Sequence, residues 1–360
     1  MKKKPNYKLR RTVALIVIIL IIVIPIILIN WKKIERIPTY YKYKEYSNIL
    51  NSLYQAGYPN KEVNMLMERL SLDKKLDKIR YDYIVTLNDK GYSTYTISYI
   101  LINLSKSEMT ELVSKKYDND LEEYVKYDDF DYNNYDRYIS YQKKNPNLKK
   151  EDIILRVELQ VDQDNYEDPV EIEDPDSLLA YVNRHRYINK NYEPEDLVDM
   201  EDKYSNNYFG VNRLRKEAYE HFKEMVDDAN NQGIEFVAET TYRSFDDQET
   251  IYSNYAYEHT REETSKYAAR AGYSEHELGT AIDLSNVWYI EEGDEEYEWI
   301  RKNAWKYGFI LRYKKDKEDI TKYAAEDWHI RYVGKEAATI IHNKGITFDE
   351  YWYKYVKKDN

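Results

Sequence analysis

Two of the six histidines in this chain stand in clusters with acidic residues. His276 lies in Ser274-Glu275-His276-Glu277-Leu278-Gly279-Thr280-Ala281-Ile282-Asp283. His329 lies in Glu326-Asp327-Trp328-His329-Ile330-Arg331-Tyr332. Two imidazoles and one carboxylate, from His276, His329 and Asp283, make a tripod for Zn²⁺ and leave a fourth position for water. Zinc lowers the pKa of such a water to about 7, so a hydroxide-like nucleophile becomes available. Glu326, three residues before His329, can sit beside the metal without ligating it and act as general base and acid. Taken singly, a histidine near an acid is more often part of a surface hydrogen bond. The chain has no cysteine, which excludes disulfides, Cys-ligated zinc and a thiol nucleophile.

These residues need elements to hold them. Leu214, Ala218, Phe222, Met225, Val226 and Ala229 form one apolar helical stripe, which Gly233 stops. Ile234 to Thr240 reads as a strand. Ser244 and Asp247 have capping-box spacing, so a helix starts there and Arg243 sits at a strand-to-helix turn, a favourable place for an anion. Ala281 to Ser285 alternates as a strand, and Gly279 lets the backbone turn between His276 and Asp283. A helix from Asp294 ends at Gly308, short strands follow at Phe309 to Tyr313 and Trp328 to Val333, and Thr347 with Glu350 caps a last helix. The expected fold class is α+β, with a small, mostly antiparallel sheet and flanking helices around the zinc site.

Upstream, residues 46–115 carry an internal repeat. Gly57-Tyr58 and Gly91-Tyr92 are 34 residues apart. In that register Leu53 matches Leu87, Val63 matches Ile97, Leu66 matches Ile100, Met67 matches Leu101 and Leu70 matches Leu104. The spacing predicts two helix–turn–helix units packed on each other. Residues 116–145, rich in Asp, Asn and Tyr, are expected to connect as helix or loop. Residues 162–176 hold eight acids and no base, which suggests a solvated loop.

The N-terminus is of a different kind. Val13 to Ile29 is an unbroken apolar run, long enough at about 1.5 Å per residue to just span a hydrocarbon core. Lys2, Lys3, Lys4, Lys8, Arg10 and Arg11 precede it, and Asn-Trp-Lys-Lys follows it. The charge asymmetry predicts an uncleaved signal anchor with a cytoplasmic N-terminus and everything after Trp31 outside. The net charge is −12 although residues 1–36 carry nine Lys or Arg against one acid, so the body of the protein is strongly acidic. That argues against nucleic acid as a partner. The expected organisation is residues 1–36 as tail and transmembrane anchor, 37–145 as helical repeat and linker, and 146–360 as the catalytic domain.

The pattern Ser-x-His-x-x-Gly-x-Ala-x-Asp followed by Glu-x-Trp-His resembles the VanY-type zinc D-alanyl-D-alanine carboxypeptidases and the related L,D-carboxypeptidases that trim peptidoglycan. Thr241-Tyr242-Arg243-Ser244 with Gln248, Tyr181-Val182-Asn183-Arg184, and Tyr192-Glu193-Pro194-Glu195-Asp196-Leu197-Val198 extend the resemblance over roughly residues 176–345. It implies that His276, Asp283 and His329 bind zinc. Glu326 would activate the water and protonate the leaving amine, and Arg243 would bind the substrate carboxylate or the developing oxyanion. Ser274 and Gln248 would orient the peptide. Trp328 would shape the pocket wall, and His185, His221, His259 and His342 have no matching partners. The chain departs from the family pattern at Thr240-Thr241, where Ser-Gly is common, and at Ala271-Gly272, where Pro-Gly is common. The first departure bears on how Arg243 is aimed.

The resemblance implies a membrane-anchored extracellular enzyme that removes a terminal D-Ala from peptidoglycan stem peptides in a Gram-positive-like envelope. The repeat module would be a spacer or would bind the wall or a protein partner. A zinc endopeptidase would use the same tripod within peptides, and a non-catalytic wall-binding scaffold would have no need of it.

Overall fold

The computed structural model describes residues 31–357 except 32, 34, 56, 73–80, 164–165, 208–209 and 287. The apolar run Val13–Ile29 lies outside the described residues, and among those described no helix is long and apolar enough to cross a membrane. The chain divides into two compact units at Ile139/Ser140.

The first unit is helical: α1 (Ser47–Gln55), α2 (Asn60–Leu72), α3 (Tyr81–Lys90), α4 (Thr94–Asn103), α5 (Lys106–Ser114) and α6 (Asn119–Tyr124). The repeat has a structural basis. After α1 the amide of Tyr58 donates to the Leu53 carbonyl at 3.1 Å, and after α3 the amide of Tyr92 donates to the Leu87 carbonyl at 3.2 Å. Gly57 and Gly91 have φ of 92° and 104°, which permits this left-handed helix stop twice. The matched apolar residues on α2 and α4 are buried, and the two helices pack together. Residues after 116 are partly helical, as expected, but they also add a core of their own. Tyr124, Phe130, Tyr135 and Tyr138 are buried in one aromatic cluster with ring centroids 5.5–6.0 Å apart, because their rings supply the apolar area that the acids between them lack.

The second unit is α+β. Its main sheet has the order β5-β6-β8-β7, with β5 at Val237–Thr240, β6 at Ala281–Ser285, β7 at Phe309–Tyr313 and β8 at Glu326–Tyr332. All three pairings are antiparallel. Two small two-stranded sheets precede it. β1 (Val170–Glu171) pairs in parallel with β2 (Arg186–Tyr187), and β3 (Leu197–Asp199) pairs antiparallel with β4 (Arg213–Arg215). The acidic segment 162–176 is therefore not simply a solvated loop. It carries β1, and it buries Ile172 beside Val182, Ile188 and Leu278.

Alternation along the strands sorts the two faces of the main sheet. Ala238, Ile282, Leu284, Phe309, Ile330 and Tyr332 face the core with the apolar stripe of α7 (Lys216–Asn230), namely Ala218, Phe222, Met225, Val226 and Ala229; Leu214, expected on this helix, joins the same core from β4. Each Leu, Ile, Val, Phe or Met among them contributes about 1.5–3 kcal/mol on burial. Trp299 and Ile300, on the helix Glu295–Asn303, close the same core. Asp283, Arg312, His329 and Arg331 alternate with these core residues and point to the opposite face.

Gly308 ends the turn into β7 at φ 89°, and a Cβ there would lie 2.6 Å from Tyr332 Cε2 and 3.1 Å from the Lys335 amide nitrogen. Gly308→Ala is expected to destabilise the second unit by about 2–4 kcal/mol, the combined cost of a strained backbone and overpacking. Urea denaturation followed by tryptophan fluorescence checks this.

Candidate active site

His276 lies on the single 3₁₀ turn Glu275–Leu278. Ser274 caps this turn by accepting from the His276 amide at 3.3 Å, and Glu277 accepts from the amides of Gly272 and Ser274 at 2.9 and 3.1 Å. Gly279 closes the turn in the left-handed region, where a Cβ would sit 2.9 Å from Leu197 Cδ2. The turn leads directly into β6, and on β6 Asp283 is paired in register with His329 of β8. Two of the expected ligands are therefore cross-strand neighbours, and the third hangs over them from the turn. All three are buried.

The imidazole of His276 donates from Nδ1 to the Thr241 carbonyl, 2.6 Å away, which leaves Nε2 as the free lone pair. That Nε2 is 3.4 Å from Asp283 Oδ2. His329 Nδ1 is 3.1 Å from Asp283 Oδ1 and 3.3 Å from Glu326 Oε2. One ligand atom from each of His276, Asp283 and His329 lies within 4.8 Å of the others. A tetrahedron with bonds near 2.0–2.1 Å has edges of about 3.3 Å, close to these separations. Asp283 Oδ1 is buried without a hydrogen-bond partner although His329 Nδ1 is so near, as expected of two atoms that converge on a third. The nitrogen and oxygen donor set fits zinc. Among the described residues this is the one group of ligating side chains that could hold a metal ion.

The electrostatics agree. Burial would raise the Asp283 carboxyl, but His276, His329 and Arg243 outweigh it and hold the group well below the usual range. Burial, with a smaller push from Asp283, raises Glu326 to about 7, and a bound dication would draw it back down. Burial opposes charge on His329, but the nearby carboxylates of Asp283, Glu275 and Glu326 outweigh it and push the group up to about 9.

Glu326 opens β8 and faces a cavity of about 220 Å³ together with Arg243, Ser274, Tyr289, Trp328 and His329. Arg243 lies at the expected turn before α8 (Phe245–Glu258), whose capping box between Ser244 and Asp247 is formed. Its Nη2 donates to Asp283 Oδ2 at 2.7 Å and to Thr240 Oγ1 at 2.8 Å, and its Nη1 donates to Gln248 Oε1 at 3.3 Å. Gln248 also donates to the Ala269 carbonyl at 2.8 Å, so both ends of its amide are engaged by the chain. It supports Arg243, where the sequence pattern implied a residue that orients the peptide. Ser274 reaches the cavity with its hydroxyl already accepting from His276, and its proton remains available to a ligand.

Sequence reasoning missed Thr240. Its hydroxyl donates to Asp283 Oδ2 at 2.7 Å while it accepts from Arg243. The register shift between Ala238 and Thr240 turns this side chain onto Asp283. The only signal was the departure from Ser-Gly at that position. The other histidines stay outside the centre. His185 bonds the Glu167 carbonyl at 3.2 Å, His221 lies 3.1 Å from Glu224, His259 stacks on Tyr255 and His342 stacks on Trp305.

Fold and site together define a zinc metallopeptidase. The VanY family, described as D-alanyl-D-alanine carboxypeptidase, is matched over residues 211–335. The chain is 41% identical over 199 residues to the putative carboxypeptidase YodJ of Bacillus subtilis (strain 168), covering 52% of this chain and 71% of the relative. It is 40% identical over 147 residues to a D-alanyl-D-alanine carboxypeptidase of Enterococcus faecium, covering 41% and 46%. Among solved structures, the LdcB LD-carboxypeptidase shares 39% identity with a TM-score of 0.49, covering 52% of this chain and 90% of that one. The chain belongs to the VanY family of D-alanyl-D-alanine carboxypeptidases.

Asp283→Asn is expected to weaken zinc binding by more than about a hundredfold, the upper end of what changes outside the ligand shell cost. Competition with a chromophoric chelator measures it.

Proposed function

We propose that this protein is a membrane-anchored carboxypeptidase that removes the terminal D-Ala from peptidoglycan stem peptides outside the cell. The observation that carries the reading is the convergence of Glu326, Arg243 and the His276–Asp283–His329 tripod on one cavity. Family membership and the printed activities of the relatives support the substrate class. The basic, apolar N-terminus supports the anchor, and the acidic, Cys-free body supports an extracellular location in a Gram-positive-like envelope. The helical unit would then carry the catalytic unit away from the membrane or bind the wall.

Zinc, when bound by His276, Asp283 and His329, supplies a Lewis acid and makes water acidic enough to attack near neutral pH. Glu326 receives the proton of the attacking water. Once the peptide bond breaks, Glu326 returns that proton to the amine of the leaving D-Ala. Arg243 presents a guanidinium fork to the terminal carboxylate or to the developing oxyanion, held there by Thr240 and Gln248. Ser274 donates its hydroxyl proton to the bound peptide.

Three outcomes check this. The full chain, incubated with tri-, tetra- and pentapeptide muropeptides, should shorten one of them by a single alanine, and chelation should stop it. The absence of cleavage by zinc-loaded protein would overturn the carboxypeptidase reading. Glu326→Gln should retain zinc and lose about 10²–10⁴-fold in kcat, so normal turnover would exclude its role as proton carrier. C-terminally amidated substrates should be poor. Equal rates on free and amidated termini would rule out the carboxylate clamp.

A further inference from the structure

Beneath the metal ligands lies a group of four buried charged residues that the mechanism does not use. Glu275 precedes the ligand His276, and its Oε1 accepts from Arg312 Nε at 2.8 Å and from Arg331 Nη1 at 2.6 Å. Arg312 also forks onto Asp349 at 2.6 and 3.3 Å, and Tyr181 donates to Asp349 at 2.7 Å. The four charges balance. Even so, one oxygen of Glu275 is left over: Oε2 is buried with no hydrogen-bond partner. The nearest polar atom recorded for it is His329 Nε2, 3.7 Å away, and that nitrogen is also buried without a partner.

Two orphaned polar atoms that face each other need an explanation, since each costs about 1–3 kcal/mol unpaired. The ligand geometry supplies one. His329 Nδ1 is the nitrogen near Asp283 and Glu326. If Nδ1 gives its lone pair to a metal, Nε2 carries the hydrogen, and Glu275 Oε2 is the acceptor in front of it. We propose that Glu275 is a positioning residue: it receives the Nε2–H of His329, fixes that tautomer and ring orientation, and so delivers Nδ1 to the metal. Arg312 and Arg331 hold its other oxygen and keep the carboxylate aimed. Arg331 lies two residues beyond His329 on β8, so the strand places both on the same face. The inference rests on the metal-site reading above.

Glu275→Gln tests it. The two arginines demand the amide oxygen, which turns the NH₂ toward the Nε2–H of His329, donor against donor. Zinc affinity, read by chelator competition, is expected to fall about 10–100-fold. The visible spectrum of the cobalt-substituted variant should shift as the ring rotates. Asp349→Asn disturbs the same buried group through Arg312 and Tyr181 without approaching His329. It should lower the melting temperature and leave zinc affinity within about threefold of the wild type, a small fraction of an outer-shell loss. Unchanged affinity in Glu275→Gln, or an equal loss in Asp349→Asn, would overturn the assignment. If Glu275→Gln does not fold, histidine-selective ¹⁵N NMR of the zinc-loaded wild type decides. A slowly exchanging Nε2–H on His329 supports the role, and an unprotonated or rapidly exchanging Nε2 excludes it. A wild type that binds no zinc would instead defeat the metal-site reading itself.

Discussion

The site depends on the register between β6 and β8, which sets Asp283 directly opposite His329. Side chains in a strand alternate with a period of two, so a slip of either strand by one residue would turn its own ligand-bearing side chain into the apolar core. The register is held from the other face, where Ile282 and Leu284 on β6 and Ile330 and Tyr332 on β8 pack with α7. The hydrophobic core therefore fixes these candidate metal ligands without touching them. What remains is placement of the third ligand. The capped 3₁₀ turn does this, with Gly279 admitting the strand behind Leu197 at a distance no side chain would tolerate.

Such a site asks a small domain to bury several charges, which is costly unless each is paired. The chain meets the cost in two layers. At the candidate metal site, Arg243 and Thr240 share Asp283 Oδ2. Below it, Arg312 and Arg331 meet Glu275 and Asp349. Buried ion pairs of this kind contribute little net stability compared with an apolar core, and their worth lies in orientation. Here each layer ends on a ligand: the upper on Asp283, the lower beside His329.

The parts of the fold visible in the sequence are those governed by local rules. The apolar stripe of α7, the capping boxes at Ser244 and Thr347 and the paired Gly-Tyr stops at residues 57 and 91 all lie where their spacing indicated. The acidic stretch 162–176 and the Tyr-rich stretch after 116 read as solvated or connecting, because their composition is polar on average. Each nevertheless buries a few large side chains, Ile172 in one and Tyr124, Phe130 and Tyr138 in the other. Average polarity conceals such anchors, since burial is decided by partners distant in sequence.

The same division holds for the chemistry. The candidate ligand set, the acid beside it and the arginine ahead of a capped helix were legible from residue type and spacing together with the family resemblance these motifs carry, because a metal centre needs particular donor atoms and local turns to present them. Which nitrogen of His276 and of His329 faces the candidate metal site was decided only by tertiary structure. So were the engagement of Gln248 with Arg243, the turning of Thr240 onto Asp283 by a bulge and the placement of Glu275 behind His329. These are contacts across strands and loops up to 56 residues apart in the chain, and nothing in a linear pattern encodes the direction in which a side chain points once those strands meet.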